Sequence, residues 1–454
     1  MTLLADPRSA QAFRFVRCGY AGGVAELVYA FDDGPELIER IRFSEPPELD
    51  AARKAAFHAA LRMLHLIAGV SYYKAGLPPR IEVETGALDG ATADLLDALY
   101  LHGLGEFAYR NGIDLRGKIA FPRSGAQALR ASTLRVMERK SASRVLVPIG
   151  GGKDSLVVVE ALKAIGADAT AVWVGASPLI AAVAARTGLP MLHIGRELSP
   201  VLFDYNRMGA WNGHIPVTAI NSAILACAAV LHGLDSIAFA NERSASAATL
   251  EYAGGQVNHQ WSKGWAFEQA FAMWLHTHVA GDLDYFSLLR PFSELAVTRA
   301  FAKSGAPYFD AFSSCNRNFR ITGPKPADRW CGQCPKCHFV FLALAPFLPK
   351  PRLLQIFGGN LLDDELQAPG FDALIEYRNH KPFECVGEAS EARAAFAALA
   401  ARPEWSEDAL VARFRREIAP QLEVSQLALE PWLRASGEHG VPARFETALG
   451  WIAG

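Results

Sequence analysis

Residues 144–161 read RVLVPIGGGKDSLVVVEA, and this stretch decides the fold. Residues 144–149 are a short apolar run rich in Val and Leu, the composition of a strand buried on both faces of a parallel sheet. Gly150, Gly151 and Gly152 follow at once, and Lys153, Asp154 and Ser155 lead into a helical pattern. Strand, glycine turn and helix together aim several backbone N–H groups and a helix N-terminus at one anion. Glycine permits both the close approach and the positive φ that such a turn needs. Ser155 can cap the helix or donate to phosphate, Lys153 adds a cation, and Asp154 can hold a magnesium ion. The plainer account is a glycine-rich turn of any α/β domain, with Lys153 and Asp154 merely solvated.

Working outward from this stretch, strand and helix patterns alternate: strand over 169–174, helix over 178–187, strand over 190–193, helix over 216–232 and strand over 236–240. Such alternation predicts a doubly wound parallel sheet with helices on both faces and ligands beyond the carboxyl ends of the strands. Three strand exits then meet one cleft, at 150–155, at 175–177 (which includes Gly175) and at 241–246. The last begins Asn241-Glu242-Arg243-Ser244, delivering an amide, a metal-ligand carboxylate, a guanidinium and a hydroxyl; an ordinary polar loop with a Glu–Arg pair is the alternative.

Upstream, three short β-rich runs at 13–17, 24–31 and 37–43 are separated by Gly-Gly and Asp-Asp-Gly and read as an antiparallel meander. Helical periodicity follows over 51–67 and 94–111, with a possible strand at 81–83. Tyr72, Tyr73 and Lys74 read as a sugar-contacting patch or, more simply, as buried aromatics. Downstream of the sheet, Cys315 and Cys331-Gly-Gln-Cys334-Pro-Lys-Cys337 allow four thiolates to converge on one ion. All-thiolate ligation favours structural zinc, an iron–sulfur cluster is second, and a redox dithiol is third. The chain is thus read as an α+β domain over 1–125 with a possible substrate-binding role, a nucleotide domain over 126–312, a Cys-rich metal-binding insert over 313–345 and a mostly helical region over 346–454.

Composition excludes several classes. A net charge of −2 over 454 residues, with mixed signs, gives no electrostatic case for a nucleic-acid or membrane partner. The start, MTLLADPRSAQAF, lacks the basic and apolar regions of a signal peptide. The apolar segment 217–231 is too short to span a bilayer. Seven cysteines, four of them clustered, do not form a disulfide framework, and a soluble cytoplasmic protein is expected. Oligomeric state is not legible. For proton transfer the candidates are His259, in the polar-aromatic run NHQWSKG that also carries Lys263, and His380, Glu384 and Cys385 in HKPFECVG. A surface loop with one buried cysteine accounts for the latter equally well. Arg290 and Ser293 could reach the cleft or simply fix a helix start.

The glycine turn resembles the S-G-G-x-D-S loop of the PP-loop ATP pyrophosphatases, with Gly150 standing where that family usually has its first serine. Together with Asn-Glu-Arg-Ser, Arg-Pro-Phe-Ser-Glu and Trp-Cys-Gly-x-Cys-Pro-x-Cys it looks like one branch of those enzymes, and the cysteine arrangement is similar to that of the deazaguanine nitrile synthases. The flanking segments FRFVRC, ELVYAFDDGPEL, HLIAGVSYYKAGLPP, EFAYRNGIDLRG and HKPFECVGE instead resemble the UDP-N-acetylmuramoyl-L-alanyl-L-glutamate epimerase family of bacterial cell-wall synthesis, over residues 13 to 387. That resemblance implies use of ATP and magnesium, release of AMP and pyrophosphate, and inversion of the terminal glutamate of a UDP-muramoyl dipeptide. An ionised α-carboxylate opposes loss of the α-proton because a dianion would develop, and an acyl-adenylate removes that charge. On this reading Gly150, Gly151, Gly152 and Ser155 hold pyrophosphate and Lys153 neutralises it. Asp154 and Glu242 position magnesium, and the cleft near Gly175 takes adenosine. Adenylation followed by amide, nitrile or thio-group formation is the alternative among enzymes, and a nucleotide-regulated binding protein is the alternative outside them. A transfer-RNA thiolase is disfavoured because no basic patch with interleaved aromatics is present.

Overall fold

The structure is a computed structural model that describes residues 5–43, 48–124, 143–320, 323–378 and 380–454. The expected division near residue 125 falls outside the described residues. Among the described residues eleven strands follow in chain order. The meander is β1 (Ala12–Ala21), β2 (Val24–Phe31) and β3 (Leu37–Arg42), and β4 is Arg80–Val83. The alternating part supplies β5 (Arg144–Pro148), β6 (Asp168–Val174), β7 (Met191–Glu197) and β8 (Ser236–Phe239). A hairpin of β9 (Leu250–Tyr252) and β10 (Gly255–Val257) and then β11 (Asp284–Ser287) complete the set.

Nine of these strands form one sheet in the order β11-β8-β5-β6-β7-β3-β2-β1-β4. From β11 to β7 every pairing is parallel, as the alternation requires. Pleating sends successive side chains to opposite faces: Leu146 enters one core, with Ile220, Ile224 and Ile237, while Val145 and Val147 enter the other, with Leu156, Val159 and Phe286. Both faces of β5 are covered, which is why Val145, Leu146 and Val147 are apolar in succession.

The meander does not stand apart from this sheet. β3 pairs antiparallel with β7, with Arg40 opposite Glu197 and Ile41 opposite Arg196. The seam carries an ion pair, Arg196 Nε to Glu39 Oε1 at 2.7 Å, with the Glu39 side chain fully buried. Phe13, Tyr29, Leu64 and Tyr72 share a core with Ile224 and Ile237 of the parallel part. Tyr72 and Tyr73 are therefore buried aromatics, and Lys74 lies beside them bonded to Asn212 Oδ1 at 2.8 Å.

The single helix expected over 94–111 is two, Gly90–Gly103 and Gly105–Asn111. The chain steps there because Gly103 passes so close to Pro216 that a Cβ would meet its ring atoms at 2.8 Å. The β9–β10 hairpin was not expected from the sequence; it turns through Ala253 and Gly254, both at positive φ, the geometry of a tight hairpin turn. Beyond the cysteines the chain is mostly helical, and the helices Pro335–Leu344, Ala389–Ala400 and Glu446–Ala453 contribute to the core of the Val145 face. Among the described residues no helix is long and apolar enough to cross a membrane.

Candidate active site

β5 ends at Pro148, and the glycine turn then bends with Gly151 at φ +88°. A Cβ on Gly151 would lie 3.3 Å from the carbonyl oxygen of Ser313, and Ser313 N donates to Gly151 O at 2.9 Å. Gly150 is exposed with open space around it. The helix Lys153–Ala164 starts from Gly152 without a side-chain cap, so its first N–H groups are available to an anion. Ser155 Oγ points back to Gly152 O at 3.4 Å.

Lys153 is buried, and its ammonium bonds both Asp154 and Glu294. Burial works against that charge, but the two carboxylates outweigh it and hold the lysine above its usual pKa. Burial also opposes ionisation of Asp154, where the Lys153 and Lys336 charges prevail and lower it. Glu242 differs. Burial, compounded by the charges of Glu294 and Asp154, pushes it up to about 8, and its carboxylate accepts no hydrogen bond from the described residues. Buried carboxylates that repel one another in this way suit a divalent cation. Around Glu242, Asn241 Nδ2 donates to Ser287 Oγ at 3.0 Å and Ser244 Oγ to Glu391 Oε2 at 2.6 Å. The Arg243 guanidinium lies 5.9 Å from the Trp432 ring centroid and bonds Ser436. Those three side chains tie the strand exit to its surroundings. Gly175 follows β6 at φ +99°, beside the stacked Trp173 and His193 rings at 4.0 Å.

A second cluster is linked to the first by Lys263, whose ammonium acts on Glu242 and Asp154. On the short helix Gly105–Asn111, the Glu106 carboxylate receives His259 Nδ1 at 2.5 Å and Arg110 Nε at 2.5 Å. His214 Nδ1 is 3.6 Å from the same carboxylate, and its ring centroid is 4.4 Å from that of His259. The charge of His259 acts on Cys385, and Lys263 Nζ lies 3.4 Å from Cys385 Sγ. Burial alone would raise the thiol; Lys263 and His259 outweigh it and bring Cys385 down to about 5. Burial alone would lower His259, but its bonds to Cys385 and Glu106 carry it up to about 9. Thiolate and imidazolium therefore coexist at neutral pH. His214, pushed by burial and the His259 charge down to about 4, stays neutral, and burial raises Glu384.

The segment carrying Cys385 docks through Phe383, whose ring centroid lies 5.3 Å from that of Tyr109 and 5.2 Å from the Arg110 guanidinium. His259, Glu384 and Cys385 are thus brought together. His380 lies exposed at the start of this segment and makes no hydrogen bond with the described residues. Glu106, His214 and His259 place ligand atoms within 4.8 Å of one another. With Arg110 and a protonated His259 already balancing the carboxylate, this group reads as a proton network instead of a metal site.

Arg290 joins the two clusters. Buried itself, it donates from Nη1 to Glu242 O at 2.8 Å and from Nη2 to Lys263 O at 2.5 Å, and it pairs with Glu268 at 2.7 Å. Lys263 lies between Cys385 on one side and the charges of Glu242 and Asp154 on the other. Ser293 takes the helix-start role: its side chain accepts from Ala296 N and caps Glu294–Ser304.

Cys315, Cys331, Cys334 and Cys337 converge, with sulfur separations of 3.7 Å (Cys331–Cys337), 4.0 Å (Cys315–Cys334) and 3.5 Å (Cys334–Cys337). Thiolates at about 2.3 Å from a tetrahedral zinc stand about 3.8 Å apart, so the donor set fits such an ion. Cys334 stands at the residue before the helix Pro335–Leu344 and Cys337 lies in its first turn. Between them is Lys336, buried, whose charge acts on Asp154 and on Cys385.

Residues 4–288 match the MurL N-terminal domain and residues 311–428 the MurL C-terminal domain. The chain belongs to the MurL family. A relative from Xanthomonas oryzae pv. oryzae, named UDP-N-acetyl-alpha-D-muramoyl-L-alanyl-L-glutamate epimerase, is 58% identical over 96% of both chains. Proteins of the same name from Salinispora tropica and a Micromonospora species are 43% and 42% identical, over 88% and 89% of this chain and 85% and 88% of their own lengths. The glycine turn, Glu106, Glu242 and His259 lie in the first MurL match, and the four cysteines, Lys336 and Cys385 in the second. Three members of these clusters escaped the sequence reading. Glu106 lies within the helical run 94–111 and Glu294 next to Ser293, neither marked out by its surroundings in sequence, and Lys336 is hidden between two cysteines.

Proposed function

We propose that the chain is an ATP-dependent epimerase acting on the terminal L-glutamate of UDP-N-acetylmuramoyl-L-alanyl-L-glutamate. The α-carboxylate is adenylated, the α-carbon is inverted to the D-configuration, and AMP and pyrophosphate are released, in peptidoglycan precursor synthesis. The observation that carries this reading is the linkage, through Lys263 and Arg290, of an uncapped glycine turn at a helix start to the cluster of Cys385 and His259. The names of the relatives supply the substrate.

In this reading the backbone of Gly150, Gly151 and Gly152 and the hydroxyl of Ser155 bind the phosphates, and adenosine lies near Gly175. Lys153, tied to Asp154 and Glu294, fixes the two carboxylates so that they face the phosphates. Asp154 and Glu242 would hold magnesium, whose charge offsets that of the triphosphate. Zinc on the four cysteines would fix the helix that carries Lys336. Adenylation removes the carboxylate charge, and proton transfer falls to the Cys385 side of the cleft. Residues 1–125 contribute Glu106 there and with it a wall of the substrate site.

The test is product analysis with ATP, magnesium chloride and the UDP-muramoyl dipeptide. AMP and pyrophosphate should form in step with the D-glutamyl product. Formation of ADP and phosphate would contradict adenylation, and dependence on ammonia or a sulfur donor would point to the amide or thio chemistry.

A further inference from the structure

The proton-transfer cluster has a defined order. Glu106 Oε2 holds His259 Nδ1 at 2.5 Å, the charged imidazole favours the Cys385 thiolate, and Lys263 Nζ stands 3.4 Å from the sulfur. Carboxylate, imidazole and thiol in a row is the arrangement that activates a thiol, with the third group fixing the orientation of the second. His259 Nδ1 is engaged by Glu106, and as an imidazolium the ring has no lone pair to offer a substrate. Lys263 is an ammonium, paired to the sulfur. His214 is turned against the His259 ring and the same carboxylate. The sulfur alone combines a negative charge with free lone pairs.

We propose that Cys385 is the catalytic base that removes the glutamyl α-proton, with Glu106 as a positioning residue that acts through His259. This rests on the epimerase reading above. In the step, Cys385 Sγ takes the proton and the C–H electron pair moves into the bond between the α-carbon and the activated carboxyl, giving an enolate. A proton taken from water at the opposite face re-forms the C–H bond. The thiol returns its proton to the hydroxide so formed, so no other reactant is consumed.

The test separates adenylation from proton transfer in the full-length, metal-loaded protein. Substrate-dependent ATP–pyrophosphate exchange reads the first, and deuterium entry at the glutamate α-carbon in deuterated water reads the second. Cys385→Ala and Cys385→Ser should keep the pyrophosphate exchange and lose deuterium entry by ~10²-fold or more, the usual contribution of a positioned base. Glu106→Gln should lower kcat for epimerisation while leaving KM for ATP in place, and Glu106→Asp should restore part of it. Deuterium entry near the wild-type rate in either Cys385 variant overturns the assignment. Loss of both reactions in a Cys385→Ser protein that keeps its Tm also overturns it, because the thiol would then be needed before proton transfer. Absence of substrate-dependent pyrophosphate exchange in the wild type overturns the adenylation reading itself and is distinguishable from both.

Discussion

Lys263 Nζ and Cys385 Sγ, 122 positions apart in the chain, lie 3.4 Å from one another. Lys263 belongs to the loop that follows the β9–β10 hairpin, and Cys385 to the segment after the helix Ala368–Leu374. A cation at hydrogen-bond distance favours the thiolate over the thiol. The same ammonium acts on Glu242 and Asp154, so the charge states of the two clusters are linked.

The rate of α-proton exchange should be bell-shaped in pH. Cys385 is held near 5, below an ordinary thiol, so its active thiolate is present above that pH and is lost as the pH falls through about 5. His259 is held near 9, above an ordinary imidazole, so the imidazolium that steadies the thiolate is lost as the pH rises through about 9. Glu106, His214, Lys263, Lys336 and Glu384 surround the pair, and the two limbs report the cluster as a unit. Deuterium entry measured from pH 4.5 to about 10 checks this; a single limb centred near 6.5, the ordinary histidine value, would contradict it.

Lys153 and Glu294 are a buried ion pair, with side chains 4% and 3% exposed. Removing one partner of such a pair strands the other charge in a poorly solvated place, at a cost of about 3–5 kcal/mol. Lys153→Met should lower unfolding stability by that amount in a denaturant titration. Lys153→Met combined with Glu294→Leu should recover part of the loss. Additive losses in the double variant would show that the two residues do not interact.

Gly151 has positive φ, and a Cβ there would press on the Ser313 carbonyl oxygen at 3.3 Å. Gly151→Ala should therefore strain the turn by about 1 kcal/mol or more and move the N–H groups proposed to bind the phosphates. The expected result is weaker ATP binding with the Cys385 thiolate unaffected. Calorimetric titration with ATP checks the first point, and thiolate absorbance in the ultraviolet checks the second.

The four cysteines should copurify with zinc, read by elemental analysis. Cys315→Ser should reduce metal content and Tm, because the ion ties the loop at Cys315 to the start of the helix Pro335–Leu344. Visible absorbance with stoichiometric iron would replace zinc with an iron–sulfur cluster. Epimerisation should fall with metal loss, since Lys336 rides on the same helix.

Much of this was legible in the sequence for physical reasons. The run 145–149 is apolar at every residue, as a strand covered on both faces requires, and the glycine turn follows from the need for positive φ at Gly151. Cysteine spacing alone placed three of the ligands. The seam between β3 and β7 was not legible, because antiparallel pairing of segments about 150 residues apart leaves no local mark. Glu106 was invisible for a similar reason: on a short helix it looks like any exposed glutamate, and its meaning comes from His259 and Arg110 closing over it. Glu294 reads as an acidic first-turn residue behind the Ser293 cap, and only the fold turns it toward Lys153. The 380–387 segment offered an imidazole, a carboxylate and a thiol on equal terms. Packing of Phe383 against Tyr109 and Arg110 is what draws Cys385 inward and leaves His380 outside.

The most direct measurement follows AMP and the glutamate α-hydrogen together, with the wild-type protein, ATP, magnesium and UDP-N-acetylmuramoyl-L-alanyl-L-glutamate in deuterated water. AMP accompanied by a D-glutamyl product carrying deuterium at the α-carbon is the predicted result. AMP without deuterium entry would leave an adenylating enzyme with another outcome and contradict the epimerase, and no AMP at all would contradict the adenylation on which the account depends.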